Sequence, residues 1–304
     1  MSSPKQKIIL IFLFFIILAL GYVIAVKGSI FPSQKSKTDK IKIVTTLFPL
    51  YDFAKNIGQD KVDVLLLLPP GVEAHSFEPK PNDVIYIDQA DIFIYTGSQM
   101  EPWVSGLISA IDNKKLTVVD ASQNISLLSN DPHIWLDMSN AKTMVNNITE
   151  SLISKDPGNS QFYKTNAQAY QQKLDQVDQS YFDLIKNCQS KEIVYAGHYA
   201  FGYLVSRYGL KYTSAQGVAP DSEPTASDLI GLVNQIKQNN IKYLYYEELS
   251  SPKIANIISS ETQSKLLFLN AAHNISKDQF NQGTSFITIM EDNLSSLKTG
   301  LDCK

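Results

Sequence analysis

Four histidines are the only imidazoles in this 304-residue chain: His75, His133, His198 and His273. None lies inside an apolar run. His75 sits in PPGVEAHSFEP after VDVLLLLP, His133 in DPHIWLD, His198 after EIVYAG and His273 after KLLFLN. A single loop histidine is ordinarily a solvated surface residue. Four that follow strand-like runs or sit in connections read differently, because in open α/β sheets ligands bind beyond the carboxyl ends of the strands. Two such loops from each half of the chain, opening toward one cleft, would gather imidazoles, the commonest protein ligands for zinc, copper and nickel. His198 precedes a helical stretch whose positive dipole end disfavours imidazolium, and a neutral ring is what a metal requires. The same arrangement also suits a neutral histidine that binds nothing.

The elements that must position these residues alternate along the chain. KIKIVTTLF, KVDVLLLLP, DIFIYTG and KLTVVDA, and later EIVYAG, LKYTSA, IKYLYYE and KLLFLN, are short β-branched or apolar runs. Between the first four lie YDFAKNIG and EPWVSGLISAI, with helical spacing. Later helices are expected near 200 to 208, 225 to 239, 252 to 262 and 282 to 300. Strands apolar on both faces and alternating with helices imply an α/β fold with mostly parallel sheets. The stretch 139 to 154 reads as a helix capped by Ser139 or Asn140. From 156 to 187 a long polar segment carries a thin apolar stripe through Phe162, Ala167, Tyr170, Leu174, Val177, Tyr181 and Leu184, which predicts a long connecting helix. The organisation expected is therefore a membrane segment over 1–30, a tether over 31–40, an α/β lobe over 41–155, a linker helix over 156–187 and a second α/β lobe over 188–304.

Composition narrows the partners. Lys and Arg total 27 against 30 Asp and Glu, a net charge of −3, so no concentrated basic surface exists to hold a nucleic acid. Ile8 to Val26 is 19 residues without a charge, preceded by Lys5 and Lys7. As a helix it would be about 28 Å long, the thickness of a bilayer's hydrocarbon core. It predicts a single N-terminal anchor, or else a cleaved signal, with the folded body on the extracellular side of the cell membrane. Cys188 and Cys303 are the only cysteines; an exported chain could join them or leave both as thiols. Asn124, Asn147, Asn274 and Asn293 begin Asn-x-Ser/Thr tripeptides that chance alone would supply in so Asn- and Ser-rich a chain.

Several motifs, in shared order and spacing from about Lys42 to Leu301, resemble the metal-binding solute-binding proteins of ABC importers, the zinc and manganese cluster called solute-binding protein family 9. They include TLFPLYDFAKNIG, LLPPGVEAHSFEPKPNDVIYIDQADIFIYTGSQMEPWV, DPHIWLD, YAGHYAFGYLVSRYGL and IMEDNLSSL. The resemblance implies a rigid two-lobed receptor with one long helix joining the lobes and a metal ion between them. Matched residue by residue, it places ligands at His75, His133 and His198, with Trp135 packing beneath the loop. At the third position the family divides into His and Glu types, so His198 favours Zn²⁺, while Mn²⁺ or iron would want more oxygen donors. The fourth position departs from the family's usual Asp: Asn270 stands there, with His273, Glu73 or water as alternatives. The family's long His- and Asp-rich loop is missing after His75. Glu247 matches a recurrent acidic residue that could orient His198, whereas Glu248 reads as a solvated loop carboxylate.

The function implied is an extracellular receptor, a membrane-anchored monomer, that delivers zinc to an ABC permease. The chain has no GxxxxGK[ST] loop with which to hydrolyse ATP itself. Two other classes compete. A zinc hydrolase needs an open coordination position and a positioned base, and no His-Glu-x-x-His segment exists. A surface adhesin would hold its metal as a structural element.

Overall fold

The computed structural model describes residues 40–218, 224–247 and 252–304. In chain order the elements are β1 (Ile41–Thr45), α1 (Phe48–Gly58), β2 (Val62–Leu66), α2 (Pro81–Asp88), β3 (Ile92–Tyr95), α3 (Val104–Ser109), β4 (Thr117–Asp120), α4 (Met138–Lys155) and α5 (Ser160–Lys186). There follow β5 (Glu192–Tyr195), α6 (Gly202–Tyr208), β6 (Lys211–Ser214), α7 (Ala226–Gln238), β7 (Tyr243–Tyr246), α8 (Lys253–Thr262), β8 (Lys265–Phe268), α9 (Lys277–Asn281) and α10 (Phe286–Gly300). The strands form two four-stranded parallel sheets of identical winding, β2-β1-β3-β4 and β6-β5-β7-β8. All eight strand-like runs of the sequence fall on these strands.

Parallel sheets bury both faces, and the cores follow from that. Phe93, Ile87 and Leu107 fill one side of the first sheet, and Val194, Leu244 and Ile258 one side of the second. The facing sides share one apolar interior that includes Phe48 and Phe53 of α1, Tyr163, Tyr170 and Tyr181 of α5, Tyr195 of β5 and Phe286 of α10. Helix α5 packs along this interior. Its 27 residues lie against α1, α4 and α10. Its buried stripe is Tyr163, Ala167, Tyr170, Leu174, Val177, Tyr181 and Ile185, so the expected ends at Phe162 and Leu184 are each off by one. Steps of strictly three and four keep one face in register along so long a helix.

Two further expectations are corrected. Helix α4 is capped by Asp137, whose Oδ1 accepts from Ser139 N at 2.7 Å and Asn140 N at 3.4 Å, so Ser139 and Asn140 lie already inside the first turn. The helix expected near 282 to 300 starts later, at Phe286: α9 ends at Asn281, Gly283 at φ 74° turns the chain, and Ser285 caps α10.

Asp52 fastens the lobes at the centre. Its carboxyl accepts from Tyr170 Oη at 2.6 Å and from the main chain of Phe286, and burial pushes it up to about 6. Cys188 and Cys303 are joined in a disulfide. Among the described residues no helix is long and apolar enough to cross a membrane; Ile8 to Val26 and the tether at 31–39 lie outside them. Asn274 and Asn293 are buried, and their amide groups, like that of Asn147, donate to main-chain carbonyls, so these tripeptides have no free amide to carry a glycan.

Candidate metal centre

The loops after β2, β4, β5 and β8 bring all four histidines to one point between the lobes. Nε2 of His133 lies 3.2 Å from Nε2 of His75 and 3.2 Å from Nε2 of His198, and ligand atoms of the three all lie within 4.8 Å of one another. A tetrahedral site with Zn–N bonds of 2.0–2.1 Å requires donors about 3.3 Å apart. His133 and His198 are fully buried, while His75 stays partly exposed at the lip.

Two carboxylates orient the buried rings. Asp131 Oδ1 accepts from His133 N at 3.0 Å and lies 2.8 Å from its Nδ1. Glu247 Oε1 lies 2.7 Å from His198 Nδ1. A ring nitrogen facing a carboxylate carries the proton, which assigns the Nδ1–H tautomer to both and leaves both Nε2 lone pairs aimed at each other. Lone pairs aimed together in this way suit a shared cation. The two carboxylates would balance a divalent charge held by neutral rings. Glu247→Gln is expected to weaken metal affinity roughly ten- to a hundredfold, measured by chelator competition; unchanged affinity would remove Glu247 from this role. Glu248 lies outside the described residues.

Asp131 also reaches the other lobe, its carboxylate standing against the main chain at Gly202 where α6 begins. A Cβ on Gly202 would stand 2.2 Å from Asp131 Oδ2, so only glycine permits this approach. Trp135, fully buried, stacks edge-on to His133 and donates from Nε1 to Ala271 O at 2.7 Å. Its indole thus packs against the His133 ring and ties the loop across the cleft.

The fourth position is where the sequence was least direct. Asn270 faces inward to the fold: its Oδ1 accepts from Ala272 N at 2.7 Å, and Asn293 of α10 pairs with its main-chain N and O at 2.8 and 2.7 Å. This turn, with Ala272 at φ 60°, presents His273 to the cluster. Its ring centroid lies 5.6, 6.0 and 6.4 Å from those of His198, His75 and His133. His273 is 3% exposed, and neither ring nitrogen has a hydrogen-bond partner among the described residues. Glu73 is engaged locally, accepting from His75 N at 3.0 Å. Asp131, which sequence reasoning passed over, had one signal available: an Asp two residues before a histidine can close a turn onto that histidine's own N–H.

Burial and the adjacent rings hold His133 well below the usual imidazole range and His75 at about 3, and burial also lowers His273. Lowering in this direction favours the neutral ring a metal needs, so a metal displaces fewer protons from them than from ordinary imidazoles. Burial pushes Asp131 up to about 6, and a bound dication would discharge its proton. Affinity is therefore expected to fall by clearly less than the roughly tenfold that four ordinary imidazoles would lose from pH 7.5 to 6.5. Below pH 6 the loss should steepen toward about tenfold per pH unit as Asp131 takes up its proton. Competition titrations at pH 7.5, 6.5 and 5.5 test this; a tenfold loss in the first step would contradict it.

A cleft between two parallel-sheet lobes, lined by converging imidazoles and backed by buried carboxylates, defines a metal-binding receptor of the two-lobed kind. The family model described as "ZnuA: Zinc-uptake complex component A periplasmic" matches residues 43–300, and the chain belongs to that family. It is 37% identical over 288 residues to the high-affinity zinc uptake system protein ZnuA of Bacillus subtilis (strain 168), covering 88% of this chain and 90% of that protein. It is 34% identical over 289 residues to the zinc-binding lipoprotein AdcA of Streptococcus pneumoniae (strain R6), covering 89% of this chain but 58% of AdcA. The crystal structure of the Zn(II)-bound ZnuA-like domain of S. pneumoniae AdcA matches with a TM-score of 0.78, at 36% identity, over 86% of this chain and 99% of that domain.

Proposed function

We propose that this protein is a zinc receptor that captures Zn²⁺ outside the cell and passes it to an ABC-type permease. His75, His133, His198 and His273 are the ligands, with His273 taking the place considered for Asn270. The observation that carries the reading is the convergence of three imidazoles, with Nε2 of His133 3.2 Å from Nε2 of both His75 and His198, and a fourth, unpartnered imidazole beside them. Four nitrogen donors suit tetrahedral zinc, whereas Mn²⁺ wants oxygen. The names of the B. subtilis and S. pneumoniae relatives support zinc as the cargo. A closed four-ligand set leaves no position for a catalytic water, and both nearby carboxylates stand behind the rings rather than beside the ion, which favours a receptor over a hydrolase. Residues 41–155 and 188–304 act as the lobes, 156–187 as their link, and Ile8 to Val26 as the anchor that keeps this monomer at the membrane.

The test is metal analysis of protein purified without chelator, followed by competition titration of wild type and His198→Ala with Zn²⁺ and Mn²⁺. One zinc per chain, a strong preference over manganese and its loss in the variant are expected. Equal affinity for the two metals, or zinc retained by His198→Ala, would overturn the assignment.

A further inference from the structure

The four histidines pair across the cleft, and the two pairs are fastened very differently. His133 and His198 lie on segments bound together by many ties. Leu128 N donates to Tyr203 Oη at 2.7 Å, and the Asp131 carboxylate abuts Gly202 at the start of α6. Arg207 of α6 lies 3.1 Å from Asp137 and holds Asp178 of α5 with two bonds. The His75 side has no such network. Pro69 to Phe77 contains no regular element, and Gly71 and Val72 are exposed.

Among the described residues, every main-chain hydrogen bond by which Pro69 to Phe77 reaches outside itself ends on Asn274 or Ile275. Asn274 Nδ2 donates to Pro69 O at 2.8 Å and to Val72 O at 2.7 Å, and Gly71 N donates to Ile275 O at 2.8 Å. The Oδ1 of Asn274 accepts from Ile275 N at 2.9 Å, which fixes the amide's orientation. Asn274 is 1% exposed, so its two donors are satisfied by those carbonyls and by nothing else among the described residues.

We infer that Asn274 is a positioning residue that latches the His75 loop shut over the ion, and that the site opens by release of this latch while the His133 and His198 side stays fixed. The inference rests on the zinc-receptor reading above. It sets the rate at which bound zinc escapes: His75 leaves the ion only when both Asn274 bonds part. Asn274 itself touches no metal.

Two variants test it. Asn274→Asp keeps the shape and the acceptor for Ile275 N but has no donor for the two carbonyls; Asn274→Ala removes both functions. Zinc dissociation into excess chelator is expected to speed up roughly ten- to a hundredfold in each, while the Co²⁺-loaded protein keeps the tetrahedral visible spectrum of wild type. Hydrogen exchange of the metal-free protein should rise in peptides covering 69–77 and stay unchanged in those covering 198–208. Dissociation within twofold of wild type, or faster exchange throughout the molecule, overturns the latch. If wild type itself binds no zinc, the receptor reading fails on its own, and the exchange experiment still decides whether Asn274 holds the loop.

Discussion

Replacing His133 with alanine is expected to lower zinc affinity by more than about a hundredfold, beyond what loss of an orienting carboxylate costs. His133 is the middle donor, because both 3.2 Å nitrogen contacts of the cluster are its own. The substitution also strips the buried Asp131 of its imidazole partner, at a site 2% exposed to solvent, leaving charge that the interior penalises. His273→Ala should cost less, because that ring stands furthest from His133 and leaves the other three in place. Chelator competition measures both, with circular dichroism to show that each variant is folded. Equal losses in the two variants would mean that the rings do not differ in this way.

The second large effect is on stability. Cys188→Ser is expected to lower the unfolding free energy of the metal-free protein by about 4–5 kcal/mol, the chain-entropy value for a closed loop of this size. The linked residues are 115 apart in sequence, so the bond restricts most of the second lobe in the unfolded chain. In the folded state the same junction is held by Gln189 N to Asp302 O, Ser190 N to Leu301 O and Lys304 N to Asn187 O. Its native geometry should therefore survive the substitution. Urea unfolding with a matched reduced wild-type sample measures the loss, and zinc affinity of the folded variant should be unchanged. A loss under about 1 kcal/mol would show that the loop is already restricted before folding.

The fold was legible because its signals are local. Each strand is a short run apolar on both faces, and helix α5 announces itself by three-and-four spacing over nearly eight turns. The ends were less legible: Tyr163 and Ile185 sit beside the equally apolar Phe162 and Leu184, and only packing against α1 and α10 chooses between them. Of the site, the loops bearing His75, His133 and His198 could be placed because each follows a recognisable run or motif. The competition between Asn270 and His273 could not be settled from pattern, since it depends on Ala272 adopting a left-handed conformation and on Asn293, 23 residues away in sequence, gripping the main chain at Asn270. The Asn274 contacts span more than 200 residues and leave no periodicity to read.

The shared apolar interior has a thermal consequence. Because α1, α5, β5 and α10 contribute to one continuous packing unit, neither half can melt and leave the other with a covered surface. Heating should give a single calorimetric peak whose direct and van't Hoff enthalpies agree. A truncated protein ending after α5 would display a long oily stripe to water and gather into aggregates rather than persist as a half-receptor.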